Sequence, residues 1–229
     1  MDSETKTVIE QRKEKNSIMF FIPVEVVKTF GKFELVKKKN LYGVNKGDDI
    51  ILEPIYDEII FLKEHLCKLR IKNIWALANI VLTRLLLDFS YADIYLSTEN
   101  LVTTVGSDGM KGLYHADLEY EIIPPEYDEF GSPIGVEFIW IRKGEFYDFI
   151  EQSTGRLIRI GGISKAYDSE SGMFGVNSSG RVIMIDSNGY EDPNLLRRTV
   201  MNAGGYLCLQ NRNRKTEDYI DVYGNILNV

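Results

Sequence analysis

The sequence of 229 residues predicts an all-β fold of consecutive antiparallel β-meanders stacked as a repeat array. Two observations carry that prediction. One motif recurs along the chain: an aromatic, Gly and an aliphatic residue, a Gly turn, a β-branched pair, Pro, then Tyr-Asp. Its second positions, Gly43, Ala76, Gly112 and Asp148, stand 33, 36 and 36 residues apart in turn. A period of this size marks stacked repeats. The composition agrees. Thirteen Tyr, eleven Phe and nineteen Gly against six Pro lean towards strands and tight turns. With 44% hydrophobic and 27% charged residues, the chain can build a sizeable core. An elongated solenoid is the leading arrangement. A closed propeller-like ring is second, because the unit lengths vary too much for equal blades.

In chain order, residues 1–16 come first, polar and mixed in charge, a frayed helix or a tail. Residues 17–32 form an N-terminal cap, in which Pro23 to Val27 looks like the closing half of a truncated unit. The first full unit spans about residues 33–62. Phe33 and Leu35 alternate with Glu34, Leu41 to Val44 returns, Gly47 turns, and Ile50 to Leu52 is the third strand. Pro54 ends that strand and leads into the corner Tyr56-Asp57-Glu58-Ile59. The second unit, about 66–96, has lost its turn glycines and its proline. Alone, Trp75 to Phe89 reads as a buried helix; the repeat phase makes it strand, which is the expectation here. The third unit, about 101–130, is clearer, and Ile122 to Phe130 repeats the corner. The fourth, about 136–168, alternates Val136, Phe138 and Trp140 and ends in Ala166-Tyr167-Asp168. The fifth, about 170–193, opens on Phe174-Gly175-Val176, but its corner decays. The sixth runs from about 206 to 229. Residues 17–229 are thus read as a single repeat domain.

This pattern resembles the WG-repeat (KWG-repeat) family of bacterial proteins. The matching residues are Tyr42-Gly43-Val44, Gly47, Ile50-Ile51, Pro54 and Tyr56-Asp57. Phe174-Gly175-Val176 with Gly180 and Val182-Ile183 match as well, as do Lys111-Gly112-Leu113 with Ile122-Ile123-Pro124 and Tyr127-Asp128, save for the aromatic. The resemblance covers about residues 33–229. It implies an all-β repeat array with an interaction role and no catalytic residues.

The residues themselves favour binding over chemistry. A catalytic carboxylate pair is normally unique, whereas Asp57/Glu58 and Asp128/Glu129 recur with the repeat. Aromatic-Gly suits a close backbone approach. No Gly-x-Ser-x-Gly, P-loop or zinc spacing of Cys and His occurs. Asp186 to Gly189 starts like a calcium loop, but its Gly comes too early and Arg197 holds the twelfth place. No cofactor and no metal are therefore expected. Cys67 and Cys208 read as free thiols of a reduced compartment. The apolar runs are too short for a signal peptide or a membrane span, so a soluble cytoplasmic protein is expected.

Net charge is −7 overall and uneven: residues 1–40 carry +3, residues 196–229 carry +2, and the middle −12. So acidic a middle disfavours nucleic acid. The expected role is a protein-binding or scaffold module whose partner approaches the cationic C-terminal end. The candidate partner-binding residues are Arg197, Arg198, Arg212, Arg214 and Lys215, where the chain departs most from its repeat. A hydrolase-like enzyme with an unrecognised cleft is the alternative, or a phosphate- or nucleic-acid-binding module using that same basic end.

Overall fold

The computed structural model describes residues 3–18, 23–131, 138–158, 162–167, 173–186, 190–211 and 216–227. They form six small antiparallel sheets, each a meander in chain order. Contacts divide the chain into two compact units, residues 1–125 and 126–229, where the repeat period alone reads one domain.

The first unit holds three four-stranded sheets. The first contains β1 (Glu25–Phe30), β2 (Phe33–Lys38), β3 (Leu41–Lys46) and β4 (Asp49–Tyr56). The second contains β5 (Glu58–Phe61), β6 (Leu66–Ile71), β7 (Ile74–Asn79) and β8 (Arg84–Tyr91). The third contains β9 (Asp93–Leu96), β10 (Leu101–Val105), β11 (Lys111–His115) and β12 (Tyr120–Tyr127). Sheets therefore change at the corner itself. Only Asp57 separates β4 from β5, and only Ala92 separates β8 from β9. The strand that the period places last in each unit opens the next sheet instead. For the same reason Glu25–Phe30 is the first strand of a complete sheet, not the closing half of a truncated one. A corner turns the chain out of one sheet, so the strand after it pairs only with strands later in the chain.

The helix-or-strand question over residues 75–89 resolves as strand, and packing explains the ambiguity. Cys67, Leu69, Ile71, Ala76 and Ala78 face the first sheet, packing with Phe33, Leu35 and Val44. Leu66, Trp75 and Leu77 face the third, packing with Ile94, Val102 and Tyr114. A sheet buried on both faces loses polar alternation and becomes a continuous apolar run. Each fully buried Leu among them contributes about 1.5–3 kcal/mol.

Residues Ser3–Ile18 form a helix, α1, rather than a tail. Thr5, Val8, Ile9 and Arg12 stand at i, i+3, i+4 and i+7, one helical face. Thr5 is buried, and Val8 and Ile9 pack on the first core. Arg12 donates to the Ile55 carbonyl at 2.6 Å and pairs with Asp57 at 3.0 Å.

The second unit begins with β13 (Glu129–Gly131), β14 (Phe138–Lys143), β15 (Phe146–Glu151) and β16 (Leu157–Ile158) in one sheet. The next sheet has only three strands, β17 (Lys165–Tyr167), β18 (Met173–Val176) and β19 (Val182–Ile185). After it comes a helix, α2 (Pro193–Asn202), then β20 (Leu207–Asn211), β21 (Thr216–Ile220) and β22 (Ile226–Leu227). Ile183 and Ile185 pack towards Trp140, Phe149 and Ile158. Val182 and Met184 pack towards Leu196 and Val200 of α2 and Leu209 and Ile220 of the last sheet. Asp192 caps α2 by accepting from the Asn194 and Leu195 amides, with Pro193 in the first turn. That helix stands where the fifth corner decays in sequence.

Candidate functional site

The recurring residues are occupied by structure. Asp57 donates its N–H to the Arg70 carbonyl at 2.9 Å, and its carboxylate accepts the Lys72 N–H at 2.6 Å. Glu58 pairs with Arg70 at 2.9 Å. The second unit repeats the device: Asp128 N–H donates to the Arg142 carbonyl at 2.9 Å and its carboxylate accepts the Gly144 N–H at 2.7 Å. Glu129 lies 3.5 Å from Arg142. Lys72 and Gly144 both have positive φ, 55° and 64°. Each corner Asp thus ties a hairpin turn of the next sheet, and the neighbouring Glu neutralises that sheet's Arg.

The aromatic-Gly pairs have an equally local reason. A Cβ on Gly43 would lie 2.5 Å from the Leu52 carbonyl and 2.8 Å from the Pro54 nitrogen. One on Gly112 would lie 2.7 Å from the Pro125 nitrogen. Gly and Pro therefore work as a pair at a bulge, and the second repeat, with Ala76, has lost both. The structural equivalent of Pro54 is Pro125, not Pro124. The aromatic ring that opens the motif lies near a cation of the paired strand: Lys37 sits 5.5 Å from the Tyr42 ring and Arg70 5.6 Å from that of Trp75.

In the second unit, Tyr167 donates to the Asp218 carboxylate at 2.8 Å, and Lys165 pairs with the same group. Burial first, and then Asp218, push the Tyr167 hydroxyl well above its ordinary range. This cluster joins β17 to β21.

The residues that do not repeat gather elsewhere. A cavity of about 320 Å³ lies between the edge of β19, the start of α2 and the turn after β21. Val182, Ile183, Met184 and Leu196 line its apolar side. Arg181, Glu191, Asn194, Arg197 and Tyr223 line the rest. Arg197 and Arg198 are exposed and enter no ion pair among the described residues. Tyr223 is 67% exposed. Burial alone would raise Asp221; bonds from Asn225 and Tyr223, with Arg181 nearby, hold it below the ordinary carboxylate value.

The outer edge of β19 borders this cavity. Ser164 N–H donates to the Val176 carbonyl, so Gly175 faces β19 and pairs with Ile183. Val182 and Met184 must then point their backbone groups away from β18. Val182 N–H donates to the Gly224 carbonyl at 2.9 Å, and the Met184 carbonyl accepts from Asp192 N–H at 2.9 Å. The chain is thus stitched opposite residues 182 and 184, by Gly224 and Asp192.

Of the candidates named from sequence, Arg197 lines the cavity and Arg198 sits beside it on α2; Arg212, Arg214 and Lys215 lie outside the described residues. Sequence does not single out Arg181, because no local pattern separates it from any other turn arginine. The helix had a signal, Asp192-Pro193 before Leu196 and Val200. Among the described residues, no group of three or more His, Cys, Asp or Glu could hold a metal ion. No helix there is long and apolar enough to cross a membrane.

No family model matches the chain, and no curated protein does. Among solved structures it is similar to the computationally designed Ika8 protein, at 11% identity and TM-score 0.34 over 90% of this chain and 73% of that one. It is also similar to BamB from Moraxella catarrhalis, at 11% identity and TM-score 0.31 over 90% and 72%. Kluyveromyces lactis Hsv2 matches at 10% identity and TM-score 0.28 over 75% of each chain. Likeness of this degree assigns neither family nor function; the all-β meander repeat is what the chain's own sheets establish.

Proposed function

We propose that the chain is a non-catalytic, cytoplasmic protein-binding module built of WG-like β-repeats, and that it captures an acidic partner. One observation carries this reading. The carboxylates that recur are consumed in corner ties, while the cations that break the repeat, Arg197 and Arg198, are exposed and unpaired among the described residues. Arg and Tyr are the side chains enriched where binding energy concentrates, and Tyr223 shares the cavity with Arg197. The module is read as WG-like from its Gly–Pro bulges and Tyr-Asp corners in register.

The test is affinity capture from the native cell, with partners identified by mass. A variant with Arg197, Arg198, Arg212, Arg214 and Lys215 all changed to Ser should lose the partner and keep its melting temperature. Capture that survives in that variant, and is lost instead on changing Asp48 and Asp49 to Ser, would move the docking face to the acidic segment.

A further inference from the structure

The corners at Asp57 and Asp128 are built alike down to single bonds, yet they differ in one charge. Arg70 donates to the Lys72 carbonyl at 3.3 Å, and Arg142 donates to the Gly144 carbonyl at 3.3 Å. In each corner the amide at the left-handed turn position donates to Oδ2 of the Asp. Asp57 then gives its other oxygen, Oδ1, to Arg12 of α1 at 3.0 Å, and the same guanidinium reaches the Ile55 carbonyl. Asp128 is half-buried, and among the described residues its carboxylate meets no cation and accepts no bond beyond the Gly144 amide. The acids on either side are already matched, Glu126 by Lys143 at 2.8 Å and Glu129 by Arg142 at 3.5 Å. The charge of Asp128 is therefore the uncompensated one.

We infer that the Asp128 corner takes an arginine from a helix of a partner protein, in the way the Asp57 corner takes Arg12 from α1. The guanidinium fork suits the place better than an ammonium group. It bridges Oδ1 and the carbonyl two residues earlier, Ile55 in the first corner and Glu126 in the second. A carbonyl has two acceptor sites, so a bond already made there does not close it. The two corners differ in what else they read. Lys72 pairs with Glu4, about two helical turns before Arg12 on α1. Gly144 stands in that place without a side chain, so the second corner reads the arginine and no acid before it. This site is opposite in charge to Arg197 and Arg198 and goes beyond the acidic-partner reading. Asp128→Asn leaves capture through those arginines unchanged.

The probe is a synthetic peptide of residues 3–18, the α1 sequence, blocked at both ends. It is titrated into the full chain, and NMR follows the backbone amides. Binding should shift the Gly144 amide saturably and leave the Lys72 amide in place. Arg12→Ala in the peptide, or Asp128→Asn in the chain, should each weaken binding by about tenfold. Glu4→Gln in the peptide should leave it unchanged. Asn keeps an acceptor for the Gly144 N–H; should the melting temperature of that variant fall nonetheless, the peptide series on the wild-type chain decides. No saturable shift at Gly144 overturns the inference, as does equal binding of the Arg12→Ala peptide. A shift at Lys72 instead, weakened by Glu4→Gln, means that the peptide exchanges with α1 at its own corner, and overturns it too. Blocked arginine that binds as tightly as the peptide assigns the site to a small guanidinium compound and overturns the helix assignment.

Discussion

Replacing Asp57 by Ala tests whether the corner carboxylates are structural. Asp57 accepts the Lys72 N–H at 2.6 Å and pairs with Arg12 at 3.0 Å. A hydrogen bond to a charged group contributes about 1.5–3 kcal/mol. The ion pair, with Asp57 27% and Arg12 20% exposed, adds at most about 1 kcal/mol. The expected loss is therefore about 3 kcal/mol. Asp57→Asn keeps an acceptor for Lys72 but not the charge, and should lose about half as much. The assay is urea unfolding in a Trp140→Phe background, so that Trp75 emission reports the first unit alone; with two compact units, one global transition cannot be assumed. A double-mutant cycle with Arg12→Ala should give a coupling of about 1 kcal/mol. Asp48→Ala, on an exposed turn, should stay within about 0.5 kcal/mol. A loss below about 0.5 kcal/mol for Asp57→Ala, with zero coupling to Arg12, would refute the tie and reopen a chemical role for the corner.

Three further outcomes are expected. Gly43→Ala should destabilise the first unit by about 1–3 kcal/mol in urea, because its Cβ has no room beside Leu52 and Pro54; an unchanged midpoint would remove the Gly–Pro explanation. Thr83, β-branched at φ 51°, should give way to Asn with a gain of about 0.5 kcal/mol, since Asn tolerates the left-handed region; a lower melting temperature would show that Thr83 is not strained. Burial pushes the Cys67 thiol up to about 12, whereas Cys208 is exposed. Ellman's reagent at pH 8 should therefore titrate one thiol in the native protein and two in urea. Because folded Cys67 holds its proton more tightly than unfolded Cys67, its contribution to stability is full below pH 9 and declines as pH rises towards 12. A midpoint that is flat over that range in wild type, and identical in Cys67→Ala, would contradict this.

Much of the fold was legible in the residues alone because the repeat is local chemistry. Gly43 with Pro54, Gly47 at positive φ, and Tyr56-Asp57 each answer to backbone geometry within one meander, so their spacing announces the strands. The same chemistry gives Asp57 and Asp128 a structural part as corner ties. Even the misleading run Trp75 to Phe89 carried its own reason, since a sheet buried on both faces cannot alternate. What the sequence left open is non-local. The phase of the sheets was set by Asp57 and Ala92, where the chain leaves one sheet and can pair only forwards. Helix α1 was decided by the core that Val8 and Ile9 found and by the Ile55 carbonyl that Arg12 reached, more than forty residues away.

The candidate site divides the same way. From sequence come the basic character of Arg197 and Arg198 and their place in a segment that breaks the repeat. Only tertiary structure brings Arg181, Tyr223 and the edge of β19 to that helix, because a cavity is made by elements distant in the chain. Gly224 and Asp192 reach the same edge of β19 from different parts of the chain, which no local pattern encodes.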